Sequence, residues 1–286
     1  MPELPEVETI VRGLRAKITH LKFSKVAVNL KKCVQESPQF FASSLEGRRI
    51  LLVERRGKNI IIRLSRGNTL LIHLRMTGGL RWVPNHAPLE KHTHVVFSFR
   101  GHPWQLRFLD SRQFGRLSVE KSGAGGNLDS LADLGPEPLE ISVMEFVARV
   151  RSKRRAIKPM LLDQHFLAGV GNIYADEALH RAQIHPRQRV EMLEDKILHR
   201  LYYALRQVLR GAIRAGGTSV RTYVDANGSA GGFQKLLRVY GREGGACRSC
   251  GASILREKVG GRSSFYCPRC QRILKKDRSL SRKFIA

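Results

Sequence analysis

The chain opens Met1-Pro2-Glu3-Leu4-Pro5-Glu6-Val7-Glu8, and removal of the initiator methionine would leave a secondary amine beside several carboxylates. An α-amino group has an unperturbed pKa of ~7.7–8.0, so this amine needs little tuning, whereas a lysine must be desolvated or set near another cation before it reacts. Proline adds a constraint. Its adduct with an aldehyde carbon has no N–H to lose and stays a cationic iminium, which is an electron sink. The same residues also suit a helix start, with Pro5 near the first helical position and glutamates in the first turn favoured by the helix dipole.

The second chemical constellation is Cys247-x2-Cys250 followed, sixteen residues on, by Cys267-x2-Cys270. Two short knuckles of this spacing offer four thiolates to one tetrahedral Zn2+, and four sulfur ligands leave no open position for water. One structural zinc is therefore expected. A redox pair is the weaker reading, because neither C-x-x-C adjoins a βαβ pattern. Cys33 is left over and reads as a small apolar residue, buried or half-buried. No organic cofactor is expected.

Lys and Arg number 51 against 24 Asp and Glu, a formal net charge of +27 spread from Arg12 to Lys283. Such a chain calls for a polyanionic partner. A basic amphipathic helix with a large apolar face is missing, so nucleic acid is favoured over a membrane surface. No apolar run approaches the ~18 residues of a membrane span, and no basic-then-apolar leader opens the chain. A cytoplasmic, nucleoid-associated monomer is the expectation.

These groups need elements to position them. Leu4, Val7, Ile10, Val11 and Leu14 follow helical spacing, so a helix over about 4–17 carries the opening residues. Short apolar segments at 49–55, 59–64, 69–74, 94–99 and 105–109, punctuated by glycines, predict an antiparallel β-sandwich or barrel. Ser122–Asn127 reads as a loop, and Leu134-Gly135-Pro136-Glu137-Pro138 as a boundary into helical patterns at 143–150, 156–162, 173–182 and 191–215. Residues 218–232 are polar and glycine-rich and read as a mobile surface loop before the cysteine module; Lys275–Arg282 reads as a short basic tail.

PELPEVE at the start, Arg56-Gly57-Lys58, Lys91-His92, Asp110-Ser111-Arg112-Gln113-Phe114-Gly115, Gly169-Val170-Gly171-Asn172-Ile173-Tyr174 and the four-cysteine finger occur in one order. Together they resemble the formamidopyrimidine-DNA glycosylases, from Pro2 to about Arg272. The resemblance implies an α+β multidomain protein: an N-terminal helix plus antiparallel β-sandwich as catalytic domain over 1–134, a helical helix-two-turn-helix domain over 135–232, and a zinc finger over 239–273 with a basic tail to 286. It implies a base-excision enzyme that flips 8-oxoguanine or a formamidopyrimidine out of double-stranded damaged DNA, removes it, and cleaves the abasic strand.

The resemblance also implies residue roles. Pro2 attacks C1′ of the damaged nucleotide and Glu3 shuttles protons, while Lys58 assists proton transfer and contacts phosphate. Arg262 contacts phosphate and serves the second elimination; since arginine is a poor proton donor at pH 7, its electrostatic part is the better founded. Met76, Arg112 and Phe114 fill the hole left by the extruded base, although Met76 and Phe114 alone would read as core residues. Asn172, a good N-cap for a helix beginning at Ile173, is assigned to the DNA backbone with the basic run Lys153-Arg154-Arg155 through Lys158. His73 and His92 are further phosphate contacts, each equally readable as an ordinary strand or surface histidine. Gly217, Thr218, Ser219, Val220, Arg221, Thr222 and Tyr223 resemble the loop that closes over the flipped purine. Glu6, one turn beyond Glu3, either faces the same pocket or caps backbone amides.

The chain departs from the family pattern at Arg75 (usually glycine), Thr93 (usually aspartate), Gln113 (usually arginine) and Asn59 (commonly aromatic); Arg75 and Gln113 flank the void-filling residues, so the resemblance implies no particular opposite-base preference. A sister branch acting on oxidised pyrimidines typically opens Pro-Glu-Gly and tends to lack the loop near 217–223. A non-catalytic zinc-ribbon DNA-binding protein would explain the charge and finger but needs no Pro2 beside Glu3. A zinc deaminase is excluded, because no H-x-E occurs and four cysteines leave zinc no vacant position.

Overall fold

A computed structural model describes residues 2–121, 123, 126–219 and 223–274. The chain divides into two compact units, residues 1–135 with 210–236, and residues 136–209 with 237–286.

In the first unit, helix α1 (Leu4–Ile18) buries Leu4, Val7, Ile10, Val11, Leu14 and Ile18, the stripe that the helical spacing predicts. It starts with a capping box: Glu3 is the N-cap and Glu6 returns its carboxylate to the Glu3 backbone. Strands β1 (Phe23–Val28), β6 (Thr93–Phe99), β7 (Trp104–Asp110) and β5 (Gly78–Pro84) form one antiparallel sheet in that order; β2 (Ile50–Arg56), β3 (Asn59–Leu64), β4 (Asn68–His73) and β8 (Arg116–Lys121) form the other. A single apolar core joins both sheets to α1, with Val53, Ile62 and Ile72 from one sheet and Phe97, Leu106 and Phe108 from the other. The β-sandwich expected from the glycine-punctuated runs is therefore what forms.

Three strands and one helix lie outside the apolar runs. Helix α2 (Pro38–Leu45) is capped by Ser37, whose side chain accepts from the Phe40 N–H. Strand β5 begins at Gly78, which reads in sequence as punctuation. A Cβ there would lie 2.4 Å from the Leu74 carbonyl oxygen, so the glycine is required by close backbone approach inside the strand end.

The 218–232 segment is not a mobile surface loop where it is described. Ala226 is 1% exposed within the sandwich core and its carbonyl accepts from the Trp82 N–H at 2.9 Å. Asp225 ties off the turn by accepting from Asn227 and Ser229. A polar, glycine-rich composition hid one buried alanine that ties down the described residues around it. Val220, Arg221 and Thr222 lie outside the described residues, as do Ser122 and the basic tail from Lys275 onward.

The second unit contains α3 (Val143–Arg151), α4 (Ile157–Leu162), α5 (Asn172–Arg181), most of α6 (Asp195–Arg214), and a hairpin of β9 (Leu255–Val259) and β10 (Arg262–Tyr266). The helices match the four predicted patterns. The face of α5 that carries residues 172, 176, 177 and 180 is polar, and the cysteine module docks on it. Asn172 Nδ2 donates to the Ser263 carbonyl at 2.9 Å, and Asp176 Oδ2 accepts from the Phe265 N–H at 3.0 Å. The Glu177 carboxylate accepts from the N–H groups of Arg238, Val239 and Tyr240. A carboxylate held by three amides is a well-satisfied buried anion.

Candidate active site and nucleic-acid interface

Pro2, Glu3 and Glu6 are all buried at the start of α1. Glu6 explains how that end of the chain is held. One carboxylate oxygen accepts from the Glu3 N–H at 2.8 Å and the other from the Thr218 N–H at 2.7 Å. The two readings of Glu6 are thus one: it caps a backbone amide and it reaches the first residues of the 217–223 segment. Gly217, at φ 84°, fits against it; a Cβ would meet the Glu6 side chain at 3.1 Å. Tyr223 lies on the same glutamate, its hydroxyl donating to the Glu6 carbonyl at 3.4 Å. Burial and the Glu6 carboxylate push the Tyr223 phenol well above its usual range, so it stays a donor. Lys58 is buried in the two-residue Gly57–Lys58 turn joining β2 to β3, where Gly57 takes the positive φ of 57° that such a hairpin needs.

A second cluster gathers at the ends of β4, β5 and β7. Asp110 is 1% exposed and organises it. One oxygen accepts from the Thr77 hydroxyl and from the Arg112 N–H at 3.2 Å, and the other from the Gly115 N–H at 2.6 Å. Gly115 is required here, since a Cβ would lie 2.5 Å from the Phe108 ring. This cradle displays Arg112 and Phe114 outward, the guanidinium 4.8 Å from the ring centroid and Phe114 46% exposed. An exposed phenylalanine braced by an arginine is poor core design and good equipment for entering a base stack. Met76 is half-buried in the same neighbourhood of sequence, between β4 and β5.

His73 accepts the Arg75 N–H on Nδ1 at 3.0 Å, which leaves its proton on Nε2 as a donor. Burial first, then the charges of Arg75 and Lys58, lowers its pKa to about 4, so the ring is neutral at physiological pH. His92 is exposed at φ 66°. Two departures from the family pattern, Arg75 at φ 55° and Gln113 at φ 59°, also sit in left-handed backbone. Glycine suits the first of these positions sterically, and arginine holds it at some cost in strain.

In the second unit the sequence-assigned residues separate. Lys153 and Arg154 are exposed, while Arg155 pairs with Asp163 at 2.6 Å. Lys158 is a correction. It is fully buried, 2.7 Å from Asp176, and donates to the Ser263 carbonyl at 2.8 Å and the Ser264 hydroxyl at 2.7 Å. An ammonium satisfied in this way is a structural pin and does not reach a phosphate. Asn172 is also placed differently: Gly171 is the N-cap of α5 and Asn172 is the first helical residue, its side-chain nitrogen donating to the Ser263 carbonyl. Gln164 shapes the preceding turn, donating to Leu162 and Val170 and accepting from Gly169. Arg262 is exposed at the first position of β10, after a Gly260-Gly261 turn with both φ values positive. Lys158 and Asn172 both hold the Ser263 carbonyl, on the strand that bears Arg262.

The sulfurs of Cys247, Cys250, Cys267 and Cys270 all lie within 4.8 Å of one another. Cys250 to Cys267 is 3.4 Å and Cys247 to Cys270 is 4.0 Å, bracketing the roughly 3.8 Å between sulfurs around a tetrahedral zinc. Burial raises Cys267 and Cys270, and the neighbouring thiols raise them further. Cys247 goes the other way. Burial opposes its ionisation, but hydrogen bonds from His180 and the Ser249 and Cys250 amides lower it to about 6. The donor set fits one zinc with no open coordination position. Cys33, buried with its thiol donating to the Leu30 carbonyl and its pKa raised to about 11 by burial, stands apart as expected.

Comparison with known proteins decides the family. Residues 1–117 match the formamidopyrimidine-DNA glycosylase N-terminal domain, residues 134–224 the formamidopyrimidine-DNA glycosylase H2TH domain, and residues 244–273 the zinc finger found in FPG and IleRS. The chain belongs to the formamidopyrimidine-DNA glycosylase family. A formamidopyrimidine-DNA glycosylase of Pelotomaculum thermopropionicum is 48% identical over 277 residues, 96% of this chain and all of that one. A structure of MutM in complex with carbocyclic 8-oxo-G containing DNA has a TM-score of 0.87 at 36% identity, covering 95% of this chain and all of that one. The Lactococcus lactis Fpg in complex with abasic-site DNA has a TM-score of 0.85 at 35% identity, covering 94% and 99%.

In this chain of the DNA glycosylase and AP lyase family, three buried polar residues with specific partners, Asp110, Glu177 and His180, stand outside the roles the motifs imply. Asp110 stands in the quoted Asp-x-x-x-x-Gly run, and its spacing to Gly115 was the available signal. Glu177 and His180 carry no signal in one sequence, because polar residues at helical spacing read first as a solvated face. No helix among the described residues is long and apolar enough to cross a membrane.

Proposed function

We propose that the protein acts on double-stranded damaged DNA, flipping and excising oxidised purines such as 8-oxoguanine and formamidopyrimidines, and cleaving the abasic strand by β,δ-elimination through a Schiff base on Pro2. The observation that carries this reading is the buried start of α1, where Glu6 ties the residues next to Pro2 to the 217–223 segment assigned to the flipped base. Pro2, freed of Met1, attacks C1′ as the glycosidic bond breaks, and Glu3 carries the proton needed to open the sugar. The iminium acidifies the C2′–H bond, whose electron pair expels the 3′ phosphate as the proton is lost to base, and loss of the C4′ proton from the conjugated iminium then expels the 5′ phosphate. Lys58 and Arg262 offset phosphate charge during these steps.

Met76, Arg112 and Phe114 occupy the gap in the stack, Phe114 by apolar contact and Arg112 by donating to the orphaned base. His73, through its Nε2–H, and His92 and Lys153 are assigned to the DNA backbone, while Asn172, whose side-chain nitrogen donates to the Ser263 carbonyl, supports the strand that bears Arg262. Zinc supplies no reaction step; the four cysteines would hold it to fix the fold around the β9–β10 hairpin. The enzyme works as a monomer in the cytoplasm, associated with the nucleoid when bound to DNA.

The test is strand nicking and borohydride trapping on duplexes carrying 8-oxoguanine or an oxidised pyrimidine. Preference for the 8-oxoguanine duplex is expected; preference for the pyrimidine lesion would move the chain to the sister branch, and absence of any trapped adduct would leave a DNA-binding protein only.

A further inference from the structure

His180 is a buried titratable side chain that the proposed reaction does not use. It lies on α5, eight residues after Asn172, on the polar face that receives the cysteine module, and is 4% exposed. Its three companions on that face bind the module's backbone; His180 alone points at a metal-ligating atom. Nε2 is 3.6 Å from the Cys247 sulfur, and Nδ1 is buried without a hydrogen-bond partner in the structure.

A zinc-bound thiolate has no proton to give, so a hydrogen bond at this position requires the hydrogen on Nε2. The lone pair is then left on Nδ1, in the pocket that offers it no partner. Burying an imidazole with one unmet nitrogen costs free energy that a leucine or phenylalanine would avoid. The contact with sulfur is the evident compensation. An N–H donated to a thiolate withdraws charge from sulfur, makes it a weaker nucleophile, and holds the Cys247 side chain in its ligating direction.

We propose that His180 is a positioning residue of the zinc site, donating from Nε2 to the Cys247 thiolate so that α5 shields one ligand sulfur from electrophiles and retains the metal. The inference rests on the zinc-finger reading and is independent of the catalytic one.

Three proteins separate the possibilities: wild type, His180→Leu, which keeps apolar bulk without a donor, and His180→Gln, whose amide nitrogen falls near the place of Nε2. Zinc content is measured first, and a wild type without zinc would defeat the zinc-finger reading itself. Iodoacetamide is then added and zinc release is followed with a chromogenic chelator, alkylated cysteines being mapped by mass spectrometry. His180→Leu should release zinc about 10-fold faster, with Cys247 modified first, and His180→Gln should restore most of the protection. In the cobalt-substituted proteins the sulfur-to-metal charge-transfer band should shift in His180→Leu and return toward the wild type in His180→Gln. Equal release rates and unshifted bands, with full zinc in all three, would overturn the proposal. Should the variants fail to fold, 15N NMR of the wild-type imidazole decides alone: an Nε2–H ring is expected, and an Nδ1–H ring would refute the donor role.

Discussion

A secondary amine, one carboxylate beside it and one carboxylate a turn further on make up the chemistry at the smallest scale, and Glu6 shows how closely placement governs it. Its two oxygens take the backbone N–H groups of Glu3 and of Thr218, the second 212 residues away from Glu6 itself. Residue type alone suggested the Pro2 amine, and the family resemblance the role of Glu3; the structure adds that both are buried at the start of α1. The bridging part of Glu6 was not legible in the sequence, because no local pattern reports which distant amide a carboxylate will meet. His73 gives a prediction at this scale. Its pKa is held at about 4 against an ordinary 6.5, so on acidification the unfolded chain takes up this proton first. Stability is unaffected by this group above pH 6.5 and is lost as pH falls from 6.5 toward 4. His73→Gln should remove that part of the acid sensitivity, seen as a shallower fall of the urea midpoint across this window; an unchanged slope would mean the histidine titrates normally.

At the scale of elements, the strands with continuous apolar runs were legible and the half-buried ones were not. β3 buries four of its six residues and announces itself, whereas β1, with pattern Phe-Ser-Lys-Val-Ala-Val, buries only Phe23 and Val26. Its assignment comes from pairing with β6, a long-range fact. The polar face of α5 was hidden for a related reason: a helix face of Asn, Asp, Glu and His looks solvated until the module that covers it is in place. Lys158 shows the consequence. Its basic run suggested a phosphate contact, and tertiary structure turned it into half of a fully buried ion pair. Burial raises the Asp176 carboxyl to about 7 even beside Lys158, so Lys158→Met should cost ~3–5 kcal/mol by leaving a buried acid without its partner, which then takes up a proton at neutral pH. Adding Asp176→Leu should recover part of that loss, offset by the orphaned Phe265 N–H. Chemical denaturation of both variants measures this, and a Lys158→Met protein as stable as the wild type would contradict the buried pair.

For the whole molecule the governing quantity is the net charge of +27. Each neutralised phosphate contributes about −0.9 to the slope of log affinity against log salt, so duplex binding should weaken steeply between low and physiological salt. Lys153→Ala should lower the magnitude of that slope by about one phosphate, and Lys158→Ala should leave the slope unchanged in whatever fraction folds. Fluorescence anisotropy across a salt series distinguishes them; an equal effect of the two variants on slope would return Lys158 to the interface.

The central claim is that the Pro2 amine is the nucleophile, and it is tested most directly by locating the covalent bond. The protein with Met1 removed is incubated with an 8-oxoguanine duplex and borohydride, the trapped complex is digested, and the peptide bearing the DNA remnant is sequenced by mass spectrometry. The account predicts the remnant on Pro2, with trapping abolished when Met1 is retained and excision lost in Glu3→Gln while duplex binding persists. A remnant on Lys58 or another lysine, with Pro2 unmodified, would contradict it.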